Sequence, residues 1–246
     1  MSQREIIIKP TVDELVRYAA EQFVELAQSS IRERGKFLFS LAGGSTPKVL
    51  YALLASEEFA SRLDWNHVYV LFGDERAVPP SDERSNYRMA KETLFDRVSL
   101  PCGNVFRMLG ELNDLNEAAK EYGILVQELG TTLDLCLLGM GPDGHTASLF
   151  PHTPALQETK HRVVATGPAS LQPHVPRLTF TFRTLNAARQ VWLLVTGADK
   201  AERLEKVLSG PQNIEEQPVQ GVAPTEGQLI WLLDEAAAAR LPQNLD

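Results

Sequence analysis

Only two cysteines, Cys102 and Cys136, occur in 246 residues. Both lie among apolar neighbours and outside any CxxC spacing, which excludes a disulfide framework or a cysteine-held metal and makes both read as buried thiols. Long apolar runs are also missing. The stretches 133–138 and 191–195 fall far short of the ~18 residues that a membrane span requires. The opening MSQREIIIKP has no apolar core of signal-peptide length, so the expectation is a cytoplasmic protein with no membrane partner. Positive charge is in deficit: 24 Lys and Arg stand against 32 Asp and Glu, for a net charge of −8. Such a surface suits no nucleic-acid backbone, although a small anion can still be held where positive charge is local. GxxxxGK followed by Ser or Thr, GxSxG and HExxH are all absent. Their absence excludes a P-loop, the nucleophile elbow of an α/β-hydrolase and a zincin helix. His145, His152 and His161 have no ligand spacing, so no metal is expected.

What is present is ordinary for a globular chain: 43% hydrophobic and 23% charged residues. Strand-like and helix-like segments alternate. Strands are expected at 5–9, 36–42, 67–72, 104–108, 133–138, 177–182, 190–195 and 228–233. Helices are expected from Thr11, with Glu14 completing a capping box, to Gly35, and then at 47–55, 85–95, 113–129, 198–208 and 234–240. The alternation predicts an α/β fold, a single domain over 1–246 with a mostly parallel sheet and helices on both faces. The stretch 158–176, with Pro168, Pro173 and Pro176, reads as a surface excursion.

Ligands of open parallel sheets bind beyond the carboxyl ends of the strands, so the segments that follow each strand matter most. Three stand out. Gly43-Gly44-Ser45-Thr46-Pro47 offers a tight turn, two hydroxyls and a helix start, a combination that holds a phosphate; a simple helix cap is the plainer alternative. Asp74-Glu75-Arg76 puts both signs of charge against an apolar strand end. Arg76 can grip a phosphate with two hydrogen bonds, and Asp74 can orient a hydroxyl or a histidine. Gly139-Met140-Gly141-Pro142-Asp143-Gly144 fits GxGxxG, but it falls in mid-chain and Pro142 removes an N–H, so a dinucleotide site is disfavoured. The next residue is His145, and an ordinary imidazole titrates near neutrality, as a general base should. Lys200 starts a helix after the strand 191–195, where a lysine opposes the helix dipole unless an anion is bound.

Taken together, these segments resemble the 6-phosphogluconolactonase family. The resemblance is carried by Ser40-Leu41-Ala42-Gly43-Gly44-Ser45-Thr46-Pro47, by Gly73-Asp74-Glu75-Arg76-Ala77-Val78-Pro79 with Asp82 and Ser85-Asn86-Tyr87, and above all by the run from Leu138 through Asp143-Gly144-His145-Thr146-Ala147-Ser148 to Pro151. It extends from about residue 10 to 235. It implies the fold shared with glucosamine-6-phosphate deaminases and ribose-5-phosphate isomerases. It also implies hydrolysis of 6-phospho-D-glucono-1,5-lactone in the oxidative pentose phosphate pathway, with no cofactor. In that reading His145 activates water, Asp143 or Asp74 holds its tautomer, and Gly43, Gly44, Ser45, Thr46, Arg76 and Lys200 bind the sugar phosphate, with Arg177 a weaker member. The partner is a phosphorylated sugar lactone, and the chain a monomer or weak homodimer. Two alternatives share the fold. A deaminase or isomerase would carry a glutamate where Phe150 stands. A non-catalytic sugar-phosphate sensor would carry a DNA-binding module, for which the α/β pattern leaves no room.

Overall fold

The computed structural model describes residues 4–130 and 132–242. Among them nine strands form: β1 (Arg4–Lys9), β2 (Phe37–Leu41), β3 (Val68–Phe72), β4 (Asp74–Arg76), β5 (Leu135–Leu138), β6 (Val163–Thr166), β7 (Arg177–Phe180), β8 (Gln190–Val195) and β9 (Gln228–Asp234). Six of them lie side by side in the order β1-β9-β8-β5-β2-β3, every neighbour parallel. β2 (FLFSL) and β5 (LCLL) are buried along their whole length, as strands covered on both faces must be.

The first helix, Val12–Arg34, starts at Thr11, whose Oγ1 accepts the Glu14 N–H at 3.2 Å, and ends at Gly35 in a left-handed conformation. Its Phe23 meets the rings of Phe37 and Phe39 on β2, with centroids 5.2 and 5.0 Å apart. These rings belong to one hydrophobic cluster that runs through the described residues. The single-domain expectation covers 1–246, of which 1–3, 131 and 243–246 lie outside the described residues. Among the described residues no helix is long and apolar enough to cross a membrane.

The structure corrects several sequence expectations. Asp74–Arg76, expected only as the charged segment after the strand 67–72, is itself a strand. Gly73 donates its N–H to the Leu41 carbonyl and accepts from Phe180 N–H, so the chain steps out of the large sheet into a small antiparallel one, ordered β4-β7-β6. The segment 177–182 contributes β7 to that small sheet and not to the parallel one. β6 lies inside 158–176, where only an excursion was expected. The segment 104–108 forms no strand: a 3-10 turn occupies Cys102–Asn104, and one bridge joins Val105 to Val70. Pro101 and Gly103 suit that turn better than a strand. Cys102 is consequently exposed, and only Cys136 is a buried thiol. The last helix is a single turn, Glu235–Ala238.

Candidate active site

The sheet order creates a crevice. β2 has β3 on one side and β5 on the other, so successive strands are laid down in opposite directions from it, and the loops beyond their carboxyl ends part there. The segments after β2, β3, β5 and β8 line a cleft of about 350 Å³. Gly43, Gly44, Ser45, Thr46, Asp74, Arg76, His145 and Lys200 all face it. Asp143 and Arg177 do not, but each touches or closely neighbours a residue that does.

His145 is held from three directions. Its Nδ1 lies 2.5 Å from Asp143 Oδ1, which also accepts the His145 N–H at 3.1 Å. Its carbonyl accepts the Gly141 N–H at 2.8 Å. The Phe150 ring packs on the imidazole with centroids 4.3 Å apart. Burial pushes the Asp143 carboxyl up, but the hydrogen bond and charge of His145 outweigh it, leaving Asp143 below the usual carboxylate range. An ionised carboxylate has no proton to give, so in the neutral form of the imidazole Nδ1 is the donor and Nε2 carries the free lone pair. Two glycines make this possible. A Cβ on Gly141 would overlap the imidazole, and Gly144 sits at φ 85°, where an L side chain is strained and its Cβ would press against Gln217 Cα at 3.2 Å.

Asp74 does not reach the histidine. Its Oδ2 accepts from Ser148 Oγ at 2.6 Å and its Oδ1 from Asn86 Nδ2 at 3.1 Å. Glu75 turns the other way and is 3% exposed. It accepts the N–H groups of Arg76, Asn86 and Tyr87 at 2.7–2.8 Å and the Ser85 hydroxyl at 3.0 Å, so it caps the helix Asn86–Thr93. Burial raises its carboxyl above the usual range despite those bonds.

Other groups that line the cleft suit an anion. The helix Ser45–Leu54 begins at Gly44, φ 107°, with no side chain capping its first amides. Thr46 is tied instead to Thr196, after β8, by a 2.6 Å hydroxyl contact. Arg76 and Arg177 stand directly opposite each other on β4 and β7. Burial and then the charge of Arg76 lower the Arg177 guanidinium. The Nε atoms of both arginines are buried without a partner among the described residues, while Arg76 Nη1 donates to the Arg84 carbonyl at 2.5 Å and Arg177 Nη2 to the Pro173 carbonyl at 2.9 Å. Two cations facing each other with spare donors are stabilised by an anion between them. Lys200 closes the arc, its Nζ 3.4 Å from Asp199.

Sequence reasoning gave no role to Ser148, Asn86, Thr196 or Asp199. Ser148 and Asn86 stood inside quoted motifs, but nothing in a string of letters says that both hydroxyl and amide converge on Asp74. Among the described residues no three His, Cys, Asp or Glu side chains come together as metal ligands would.

Comparison with known proteins places the chain among relatives of known family. Residues 10–231 match the family described as glucosamine-6-phosphate isomerases/6-phosphogluconolactonase. A 6-phosphogluconolactonase of Nostoc sp. is 35% identical over 97% of this chain and 99% of its own. One from Synechocystis sp. is 40% identical over 86% of this chain and 88% of its own. The solved 6-phosphogluconolactonase of Trypanosoma brucei superposes with a TM-score of 0.86, at 30% identity, over 98% of this chain and 100% of that one.

Proposed function

The chain belongs to the family of glucosamine-6-phosphate isomerases and 6-phosphogluconolactonases, and from that premise we propose that it hydrolyses 6-phospho-D-glucono-1,5-lactone to 6-phospho-D-gluconate without a metal, with His145 as general base. The observation that carries the proposal is the Asp143–His145 pair in a cleft that Ser45, Thr46, Arg76 and Lys200 also line.

A δ-lactone is an activated ester, so a positioned water and a base suffice. Nε2 of His145 takes the proton as water attacks C1. The carbonyl oxygen becomes an oxyanion and is met by backbone N–H groups of the glycine-rich loops. The bond from C1 to the ring oxygen then breaks, and His145 returns the proton to that oxygen, leaving a hydroxyl on C5 and a carboxylic acid at C1 that releases its proton to water. Asp143 holds the tautomer throughout and stabilises the imidazolium. The amides after Gly44, with Arg76, Lys200 and Arg177 behind them, grip the phosphate. Anchoring that distant group uses its binding energy to orient C1. Phe150 occupies the place where a deaminase would present its acid, and its contact with the imidazole favours the lactonase reading.

Freshly prepared 6-phosphogluconolactone, coupled to 6-phosphogluconate dehydrogenase, should be consumed well above its spontaneous rate. A rate equal to the uncatalysed one would end the proposal. The same assay run in EDTA should give the same kcat. A loss that an added divalent ion restores would show that a metal takes part.

A further inference from the structure

Directly after His145 the chain makes a tight turn over Thr146–Leu149, closed by Leu149 N–H on the Thr146 carbonyl at 2.9 Å. Its first central residue, Ala147, has φ 47°. That is glycine's usual place in such turns, and an L side chain there is strained. Ala147 lines the cleft, and the turn leads directly away from the base. Strain of this kind persists only where the surroundings hold it.

Ser148 supplies the hold. It is 1% exposed, and both its polar groups are engaged across elements. Its N–H donates to Thr179 Oγ1 on β7 at 3.1 Å, and its hydroxyl donates to Asp74 Oδ2 on β4 at 2.6 Å. Asp74 takes a second bond from Asn86, which also donates to the Asp74 carbonyl at 2.9 Å. Asn86 in turn abuts Gly43, where an added Cβ would overlap its amide oxygen. One carboxylate therefore ties the turn after the base to the strand that carries Arg76, and its partner Asn86 abuts the loop that opens the helix Ser45–Leu54.

We propose that Ser148 is a positioning residue: through Asp74 it holds the left-handed turn at Ala147 and so fixes His145 relative to the phosphate grip. The inference rests on the lactonase reading above. It gives Asp74 a role different from supporting the imidazole. A base displaced by about an ångström loses up to ~10²-fold in rate while substrate binding is nearly kept.

The test measures kcat, KM and thermal stability for Ser148→Ala, Ala147→Gly and the double variant, well below their melting temperatures. Wild-type turnover in the same assay separates failure of this inference from failure of the lactonase reading. Ser148→Ala should lower kcat by about ten- to a hundredfold with KM within about threefold. In the Ala147→Gly background the turn no longer depends on the serine, so adding Ser148→Ala should cost less than about threefold in kcat. Rescue of turnover by a glycine is not expected of a residue that merely stabilises the fold. If Ser148→Ala keeps wild-type kcat, or if its loss is the same with Ala147→Gly present, the inference is overturned. Ser148→Cys, of similar size but with a far weaker donor, carries the same expectations should the alanine variant be too unstable to purify.

Discussion

His145→Ala is expected to lower kcat for 6-phosphogluconolactone by about 10²-fold or more, in a protein that remains folded. Folding should survive because the imidazole is not part of the core: its side chain is about one-fifth exposed, and its main polar partner is Asp143, itself partly exposed. The ring also packs on Phe150, a contact that the substitution weakens. KM should move little, since the groups assigned to the phosphate are Arg76, Lys200 and the amides after Gly44 and do not include the imidazole. Asp143→Asn should also lower kcat, by less. The amide can still contact Nδ1, but it can donate where the carboxylate only accepts, so the tautomer with a free Nε2 is no longer enforced. Circular dichroism together with steady-state kinetics checks both variants. A folded His145→Ala protein with near wild-type kcat would remove the histidine from the mechanism.

Arg76→Ala should raise KM for the phosphorylated lactone by about tenfold to a hundredfold. The net charge of −8 repels a phosphorylated substrate at long range, so binding must come from a few local groups. A charge-assisted arginine–phosphate pair is worth on the order of 1.5–3 kcal/mol, which corresponds to that range in KM. Unphosphorylated glucono-δ-lactone has no phosphate to lose, and its kcat/KM should change little. The ratio of the two substrates' kcat/KM values in wild type and variant is the deciding measurement. Equal harm to both lactones would mean that Arg76 acts on the reacting carbonyl or on the fold. The structure adds a reason for expecting a large effect. Arg76 is cross-strand from Arg177, so removing it also removes the pressure that keeps a second cation poised for an anion.

Much of this was readable in the letters. The parallel strands were, because burial on both faces makes them continuous apolar runs, as in FLFSL and LCLL. The segments after them were, because glycine next to polar residues at a strand end has few other uses. The small sheet was not. β4 is three residues long and charged, DER, and it is a strand only because β7 lies beside it. β6, VVAT, hides in a proline-flanked stretch and is likewise defined by its partner. At the site, sequence left two carboxylates open as partners of His145. Distance separates them: Asp143 is two residues away and bonded to the ring, whereas Asp74 is engaged by Ser148 and Asn86. The role of Ser148 rests on a contact across 74 positions of chain, which no local pattern encodes.

The glycines of Gly139-Met140-Gly141-Pro142-Asp143-Gly144 have a consequence for how such strings are mined. In a nucleotide-binding turn the glycines of GxGxxG admit a pyrophosphate and a closely packed helix. Here Gly141 is bare because an imidazole lies where its Cβ would be, and Gly144 is bare because the chain turns left-handed against Gln217. The same spelling therefore answers two unrelated steric demands, and a cofactor scan keyed to it would return this chain as a false positive. Requiring a histidine directly after the last glycine would turn that error into a filter: it selects turns in which the space vacated by glycine is filled from within the protein.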